Sequence, residues 1–392
     1  MKNILLSIIP LVMLTSCGSS ESDYQQIDPY ANVVATFGTK IDLNNLANYA
    51  NQPIPNYITK NNVNGNPITD KGATLGRVLF YDKKLSSNNT ISCSTCHIQA
   101  NAFSDPLVAS IGVNGSTDRH SMRLINTRFA NEIKFFWDER ASNLETQTTM
   151  PIKNHGEMGF SGTNGDQDFS GLVTKLSAIG YYKELFKFVY GSEEVTENKI
   201  QLALAQFIRS IQSFDSKYDV GRAQVVNDGQ PFPNFTAQEN NGKNLFLTPP
   251  VFDATGNRTS GGLGCAGCHA APEFDIDPNT RNNGIAGSIN GGLDITNTRA
   301  PSLRDIAKPD GNPNGPMMHT GVITSLQAAI GHYGTINIAP GNTNLDPRLR
   351  PNGFGQQLHL TAPEVNSVIA FLKTLSGNNV YVDVKWSSPF NN

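Results

Sequence analysis

Two cysteine pairs, each followed at once by a histidine, carry the plainest chemistry in this sequence: Cys93-Ser94-Thr95-Cys96-His97 and Cys265-Ala266-Gly267-Cys268-His269. At Cys-x-x-Cys-His spacing two thiols can add to the vinyl groups of a haem while the adjacent imidazole turns onto the iron. Zinc is the rival for paired cysteines. It would need two pairs 172 residues apart to converge on one metal, and it gives the histidines no required place. The spacing therefore predicts two covalently bound haem c groups. Cys93, Cys96, Cys265 and Cys268 are the thioether positions, and His97 and His269 are iron ligands. The implied chemistry is redox.

Something must hold each pentad, and the surrounding pattern repeats. Asp70 can cap a short helix through Leu79 and Phe80, and the first pentad follows. Thr236-Ala237-Gln238-Glu239 is a capping box that opens a helix through Leu245 and Phe246, and a Gly-rich loop leads to the second pentad. A closing helix is expected in each half, over 197–214 and over 361–376. The latter has its own capping box (Thr361, Glu364) and a stop at Gly377. This is the plan of a small helical cytochrome used twice. The expected fold is all-α: two cytochrome c-like domains with extensive loops and an active site near their junction. The first domain is placed at 69–225 and the second at 226–392, with the boundary near 220–235. Residues 31–68, rich in Asn and Pro, read as an irregular wrap.

The fifth cysteine, Cys17, ends an export signal. Lys2 is its charged start, and residues 4–14 are apolar but too short to span a bilayer. Leu14-Thr15-Ser16-Cys17 looks like a lipobox, so 1–16 is read as a lipoprotein signal peptide and 17–68 as lipid anchor, tether and wrap. An ordinary secretory signal with an incidental cysteine is the alternative. The expected location is the periplasm or cell envelope, with membrane contact only through a lipid on Cys17. Removing residues 1–16 moves the formal charge from −3 to −4. No basic block points to nucleic acid. A mature chain of about 375 residues suggests roughly two or three domains.

Longer runs resemble one family. Leu75-Gly76-Arg77-Val78-Leu79-Phe80-Tyr81-Asp82, Leu85-Ser86 and Ile91-Ser92-Cys93 are similar to the first haem segment of bacterial di-haem cytochrome c peroxidases, a family that includes the MauG type. Phe136-Trp137-Asp138-Glu139-Arg140, Leu144, Gln147 and Glu157-Met158-Gly159 resemble the segment that follows it. Arg299-Ala300-Pro301-Ser302-Leu303-Arg304-Asp305 and Met318-His319-Thr320-Gly321 resemble the second half. The likeness spans residues 70–376.

The resemblance implies roles. Glu157 falls at the acid–base position and Gln147 at that of the distal amide. Trp137 falls where an indole stands between the haems, with a core tryptophan as the plainer reading. Relatives that need reductive activation cap the first iron with a histidine on a loop after the pentad. Val113 occupies that place here, which implies a permanently open iron, and His120 is the alternative cap. His155 is a second candidate for the pocket. Fourteen residues after His319, where peroxidases of the family have a methionine ligand, stands Tyr333, as in MauG. His332 is its rival, and Met317 and Met318 read as packing. The family's calcium would use carbonyls near Asn314 and Pro316. His120 replaces the family's asparagine, and imidazole is a poor calcium ligand.

The function implied is reduction of hydrogen peroxide, with electrons from a small donor protein (a cytochrome c or cupredoxin) entering through the His269 haem. A MauG-like oxidase of a partner protein is the alternative, and a non-catalytic electron carrier is the third reading. The carrier needs no acid–base group such as Glu157.

Overall fold

The computed structural model describes residues 28–63 and 65–391. The expected signal peptide and Cys17 lie outside them. Twelve α-helices occur among these residues. They are α1 (Ala31–Phe37), α2 (Asp70–Tyr81), α3 (Cys93–Cys96), α4 (Leu144–Thr149), α5 (Phe169–Ser177), α6 (Gly180–Tyr190), α7 (Glu197–Ser210), α8 (Lys217–Arg222), α9 (Ala237–Leu247), α10 (Leu326–Gly334), α11 (Ala362–Lys373) and α12 (Asn379–Val382). Two small antiparallel pairs join them: β1 (Pro250–Phe252) with β2 (Arg258–Gly261), and β3 (His269–Ala270) with β4 (Asp275–Ile276). The chain is therefore helix-rich rather than strictly all-α.

α2 and α7 pack together beside the first pentad, and α9 and α11 beside the second. Each crossing closes on a glycine. A Cβ on Gly76 would lie 2.0 Å from the Ala203 carbonyl oxygen, and one on Gly242 would lie 1.9 Å from that of Ser367. Any side chain at either place would force the backbones apart. On α7 the buried Ile200, Ala203, Leu204, Phe207 and Ile208 form one apolar stripe. The buried apolar side chains group into two main clusters. One runs from Val33 to Ile211, the other from Tyr218 to Leu375.

The last residues return to the first cluster, where Val380 and Trp386 are buried. The tail is stitched there by its backbone. Gln99 Nε2 donates to the Val380 and Asp383 carbonyls, Tyr49 to Lys385, Tyr81 to Trp386, and Arg77 Nε to Ser387 at 2.7 Å.

Several boundaries differ from expectation. α2 is capped by Thr69, whose hydroxyl accepts from Gly72 N. Asp70 instead accepts from the Tyr49 and Ala50 amides. α7 stops at Ser210, because Asn126 pairs with the backbone of Ile211 and Ser213 and draws that stretch out straight. α11 stops at Lys373, and the Thr374 hydroxyl donates to the Phe371 carbonyl. The wrap contains α1, whose first amides are held by Glu184 from α6. No helix among the described residues is long and apolar enough to cross a membrane.

Candidate functional site

The two pentads are built differently. Ser92 and Thr95 form a capping box that fixes α3, and His97 follows directly. The chain then turns through Ala102 and Phe103, both at positive φ. This turn presents the Phe103 carbonyl 3.2 Å from His97 Nδ1. With Nδ1–H donated there, Nε2 is left free for a metal, the usual way a ligating imidazole is oriented. The second pentad sits on a short turn that runs into β3. His269 is half-buried, and its Nδ1 is enclosed without a partner. Burial lowers the pKa of both imidazoles, that of His269 to about 4, so each is neutral. None of the four pentad cysteines is paired in a disulfide. Burial pushes Cys93 and Cys265 up to about 12 and Cys96 and Cys268 up to about 11.

A cavity adjoins each pentad. The first, of about 530 Å³, is lined by His97, His120, Trp137, Gln147 and Glu157 among others. The second, of about 430 Å³, is lined by Cys265, Cys268, His269, Tyr333, Met317 and Met318, with many apolar neighbours. Both lie in the range of small-molecule sites, about 300–1,000 Å³. Paired cysteines, a neutral imidazole and an adjoining cavity, mixed polar and apolar at the first site and mainly apolar at the second, together fit a haem at each place. Arg123 and Arg299, which the sequence reading missed, line both cavities. Arg123 Nη2 donates to the Ser302 carbonyl, while its Nε is buried without a partner. These guanidinium groups suit haem propionates. Arg299 belongs to a run already singled out, but no local pattern marks Arg123.

Glu157 and Gln147 reach the first cavity from different elements. Gln147 rides on α4, which is capped by Asn143. Glu157 sits on a turn whose amide donates to Asn154 Oδ1 at 3.0 Å. Burial raises the Glu157 carboxyl to about 7, although Arg140 pulls the other way. Val113 is not a lining residue. Its amide donates to the Glu157 carbonyl at 3.0 Å, and Asn114 N donates to the Gly156 carbonyl at 3.2 Å. The loop through Val113 thus braces the carboxylate's own turn. His155 pairs with Asp166 at 2.8 Å and does not line the cavity.

Trp137 lies on the wall common to both cavities. It is 8 % exposed, and its Nε1 donates to the His120 carbonyl at 2.7 Å. Its ring meets that of His319 edge-on, with centroids 6.2 Å apart. His120 also lines both cavities. Its amide donates to the His319 carbonyl at 2.7 Å, and its Nδ1 lies 3.0 Å from the Leu107 carbonyl. The Leu107 carbonyl holds the His120 ring on the wall of both cavities.

α10 sorts the two candidates of the second site. Successive residues on a helix point about 100° apart. Tyr333 faces the cavity, while His332 Nε2 bonds the Asn283 carbonyl at 2.9 Å and is absent from the lining. Burial raises the Tyr333 phenol well above its usual pKa. Met318 Sδ accepts from Asn283 Nδ2 at 3.2 Å. Of the calcium candidates, Asn314 is 1 % exposed and donates to the Asp305 carbonyl and to Tyr381, leaving its Oδ1 without a partner. Among the described residues, no group of three or more His, Cys, Asp or Glu side chains could hold a metal ion.

Comparison with known proteins adds an independent line. A family model described as di-haem cytochrome c peroxidase matches residues 70–224. The methylamine utilization protein MauG of Methylophilus methylotrophus is 28 % identical over 321 residues, covering 80 % of this chain and 84 % of its own length. The cytochrome c551 peroxidase of Nitrosomonas europaea is 27 % identical over 339 residues, covering 82 % and 84 %. The crystal structure of a MauG-like protein associated with microbial copper homeostasis superposes with a TM-score of 0.65 at 28 % identity, over 86 % of this chain and 99 % of that one.

Proposed function

This chain belongs to the di-haem cytochrome c peroxidase family, and from that premise we infer that it is a peroxidase reducing hydrogen peroxide to water at the first cavity. Family membership gives it two c-type haems. We assign their attachment to Cys93/Cys96 with His97, and to Cys265/Cys268 with His269, each within its own cytochrome c-like unit. Two electrons and two protons convert one peroxide to two waters. When bound, the haem supplies the iron and the redox change. The protein supplies the proton handling.

The observation that carries this reading is Glu157: a carboxyl held near neutrality by burial, on the wall of the cavity that His97 also lines. Such a group can accept a proton from one peroxide oxygen and return it to the other. Gln147 offers an amide beside it to orient the peroxide. A carrier of electrons has no use for this pair. Trp137, shared by both cavities, is the side chain through which charge would pass between them.

A second reading, oxidation of a partner protein, draws on one observation: Tyr333 faces the second cavity. A phenolate favours ferric and higher states, which suits holding oxidising equivalents. We also propose that the chain is carried at the cell envelope by a lipid on Cys17, a reading that rests on the run before that cysteine.

One experiment tests both the cofactor and the open first iron. Matured protein should give two haems per chain in a pyridine haemochrome assay. The same all-ferric sample should react with peroxide without prior half-reduction, because Val113 stands where activation-dependent relatives place a histidine. One haem per chain would defeat the attachment assignment. A purely six-coordinate, unreactive ferric protein would mean that His120 or another residue caps the iron.

A further inference from the structure

The first core contains an arrangement that peroxide cleavage does not use. Tyr181 and Tyr182, consecutive on α6, both donate their phenolic hydrogens to the same oxygen, Oδ2 of Asp82, at 2.7 and 2.8 Å. All three side chains are buried, Tyr182 completely. The two rings have centroids 4.7 Å apart. The other oxygen of Asp82 accepts from the Lys84 amide at 2.9 Å. Lys84 Nζ donates to the Tyr181 hydroxyl at 3.0 Å and lies 4.8 Å over its ring. Burial first, then the charges of Asp82, Tyr181 and Cys93, raise the Tyr182 phenol well above its usual pKa. Cys93, of the first pentad, packs against the same buried cluster that holds Tyr182.

Other phenols among the described residues are placed differently. Tyr57 and Tyr218 also donate to carboxylates, Asp219 and Asp228. Those carboxylates are already paired with Arg304 and Arg222. Tyr49, Tyr81 and Tyr190 donate to backbone carbonyls, which cannot hold a proton. Tyr381 lies beside Asp305, which likewise has no ion pair among the described residues, but its hydroxyl donates to the Ala307 carbonyl at 3.1 Å. The Tyr181–Tyr182 pair instead presents two buried phenols to one carboxylate oxygen with no ion pair among the described residues. A phenol surrenders an electron readily only when its proton leaves as well, and Asp82 is the base placed to take it.

We propose that Tyr182, with Tyr181 and Asp82, is a proton-coupled oxidation site that takes one oxidising equivalent from the first haem centre when peroxide arrives without an electron donor. The proposal rests on the peroxidase reading, since peroxide is the oxidant. One electron passes from Tyr182 to the peroxide-oxidised centre, the phenolic O–H bond breaks, and the proton moves to Asp82 Oδ2. The products are a neutral phenoxyl radical, a protonated Asp82 and a centre reduced by one electron. An electron from a donor, with the proton from Asp82, restores the phenol. Tyr181 shares the same proton acceptor, so the hole can visit its ring. The Lys84 ammonium on the Tyr181 oxygen opposes oxidation there and leaves the radical on Tyr182.

The test uses the haem-loaded full chain, with ordinary or ring-deuterated tyrosine, mixed with stoichiometric peroxide in the absence of donor and frozen for magnetic resonance. The expected signal is an organic radical that narrows on ring deuteration, vanishes in Tyr182→Phe and in Asp82→Asn, and persists in Tyr57→Phe. Tyr182→Phe leaves Tyr181 on Asp82, so the carboxylate keeps a donor and the core its shape. A haem absorption change with no radical, or with one indifferent to ring deuteration or to Tyr182→Phe, overturns this proposal alone. No haem response to peroxide overturns the peroxidase reading and this proposal with it.

Discussion

Glu157→Gln is expected to lower peroxide turnover by roughly 10²-fold or more, the scale of losing a positioned acid–base group, with both haems still attached. Glutamine keeps the shape and the hydrogen-bonding oxygen of the side chain but cannot take up and release a proton at neutral pH. The pH profile should distinguish this from a structural loss. The side chain must start as a carboxylate to accept the first proton, so the wild-type rate should rise through pH about 7, where burial has placed its pKa. The variant should lose that rise.

Stability gives a separate check, with a definite sign. The folded-state pKa of about 7 lies above the ordinary value of 4.5. Between these two values the unfolded chain releases the proton first, so rising pH costs the folded protein stability through that window. Glutamine removes this cost. Thermal unfolding of the variant at neutral or higher pH should therefore be no lower than that of the wild type. Unchanged peroxide kinetics would move the proton transfer to water or another group, since His155 is committed to Asp166.

Tyr333→Phe is expected to convert the His269 haem from six- to five-coordinate and to raise its potential. Phenylalanine matches the ring volume, so α10 and the cavity wall should persist. What is lost is the hard oxygen donor that favours oxidised iron. The low-spin ferric signal of this haem should give way to a high-spin one, and any stored second oxidising equivalent should decay faster. His332→Ala should leave the spectrum alone, because that ring is spent on the Asn283 carbonyl at 2.9 Å. Magnetic resonance of the ferric protein and both variants decides between them. If His332→Ala alone perturbs the ligand field, the tyrosine assignment is wrong and oxidation of a partner protein loses its main support.

What the sequence made legible was local chemistry. The pentads, the Thr236/Glu239 and Thr361/Glu364 capping boxes and the start of α7 could be read because each depends on residues within one helical turn. The likeness to a family led to Glu157, Gln147, Trp137 and Tyr333, and the structure brings the first three to one cavity and Tyr333 to the other. What escaped was set by distant partners. α7 stops where Asn126 intervenes, and α1 forms because Glu184 holds its first amides. The orphaned Arg123 gains meaning only once the two halves meet. α10 was missed, although Ser325 accepts from the Ala328 amide as an ordinary cap, because Gly331 and Gly334 interrupt its pattern. The strands, two to four residues long, are too brief to show alternation.

The returning tail bears on the order of assembly. Trp386 lies 2 % exposed in the first core, with its indole nitrogen 3.3 Å from Ser210 Oγ. A ribosome delivers these residues after both pentads. While the chain is being made, the first core lacks Val380 and Trp386 and stays open on the side of Tyr49, Arg77 and Tyr81, although Cys93 and Cys96 have long been in place. The first core thus closes only after residues that follow the second pentad have been made, and this returning segment is its latch. A chain ended after Gly377 should keep α9 and α11 protected from hydrogen exchange but expose α2 and α7. Equal protection of both helix pairs in that truncated chain would show that the latch has no hold.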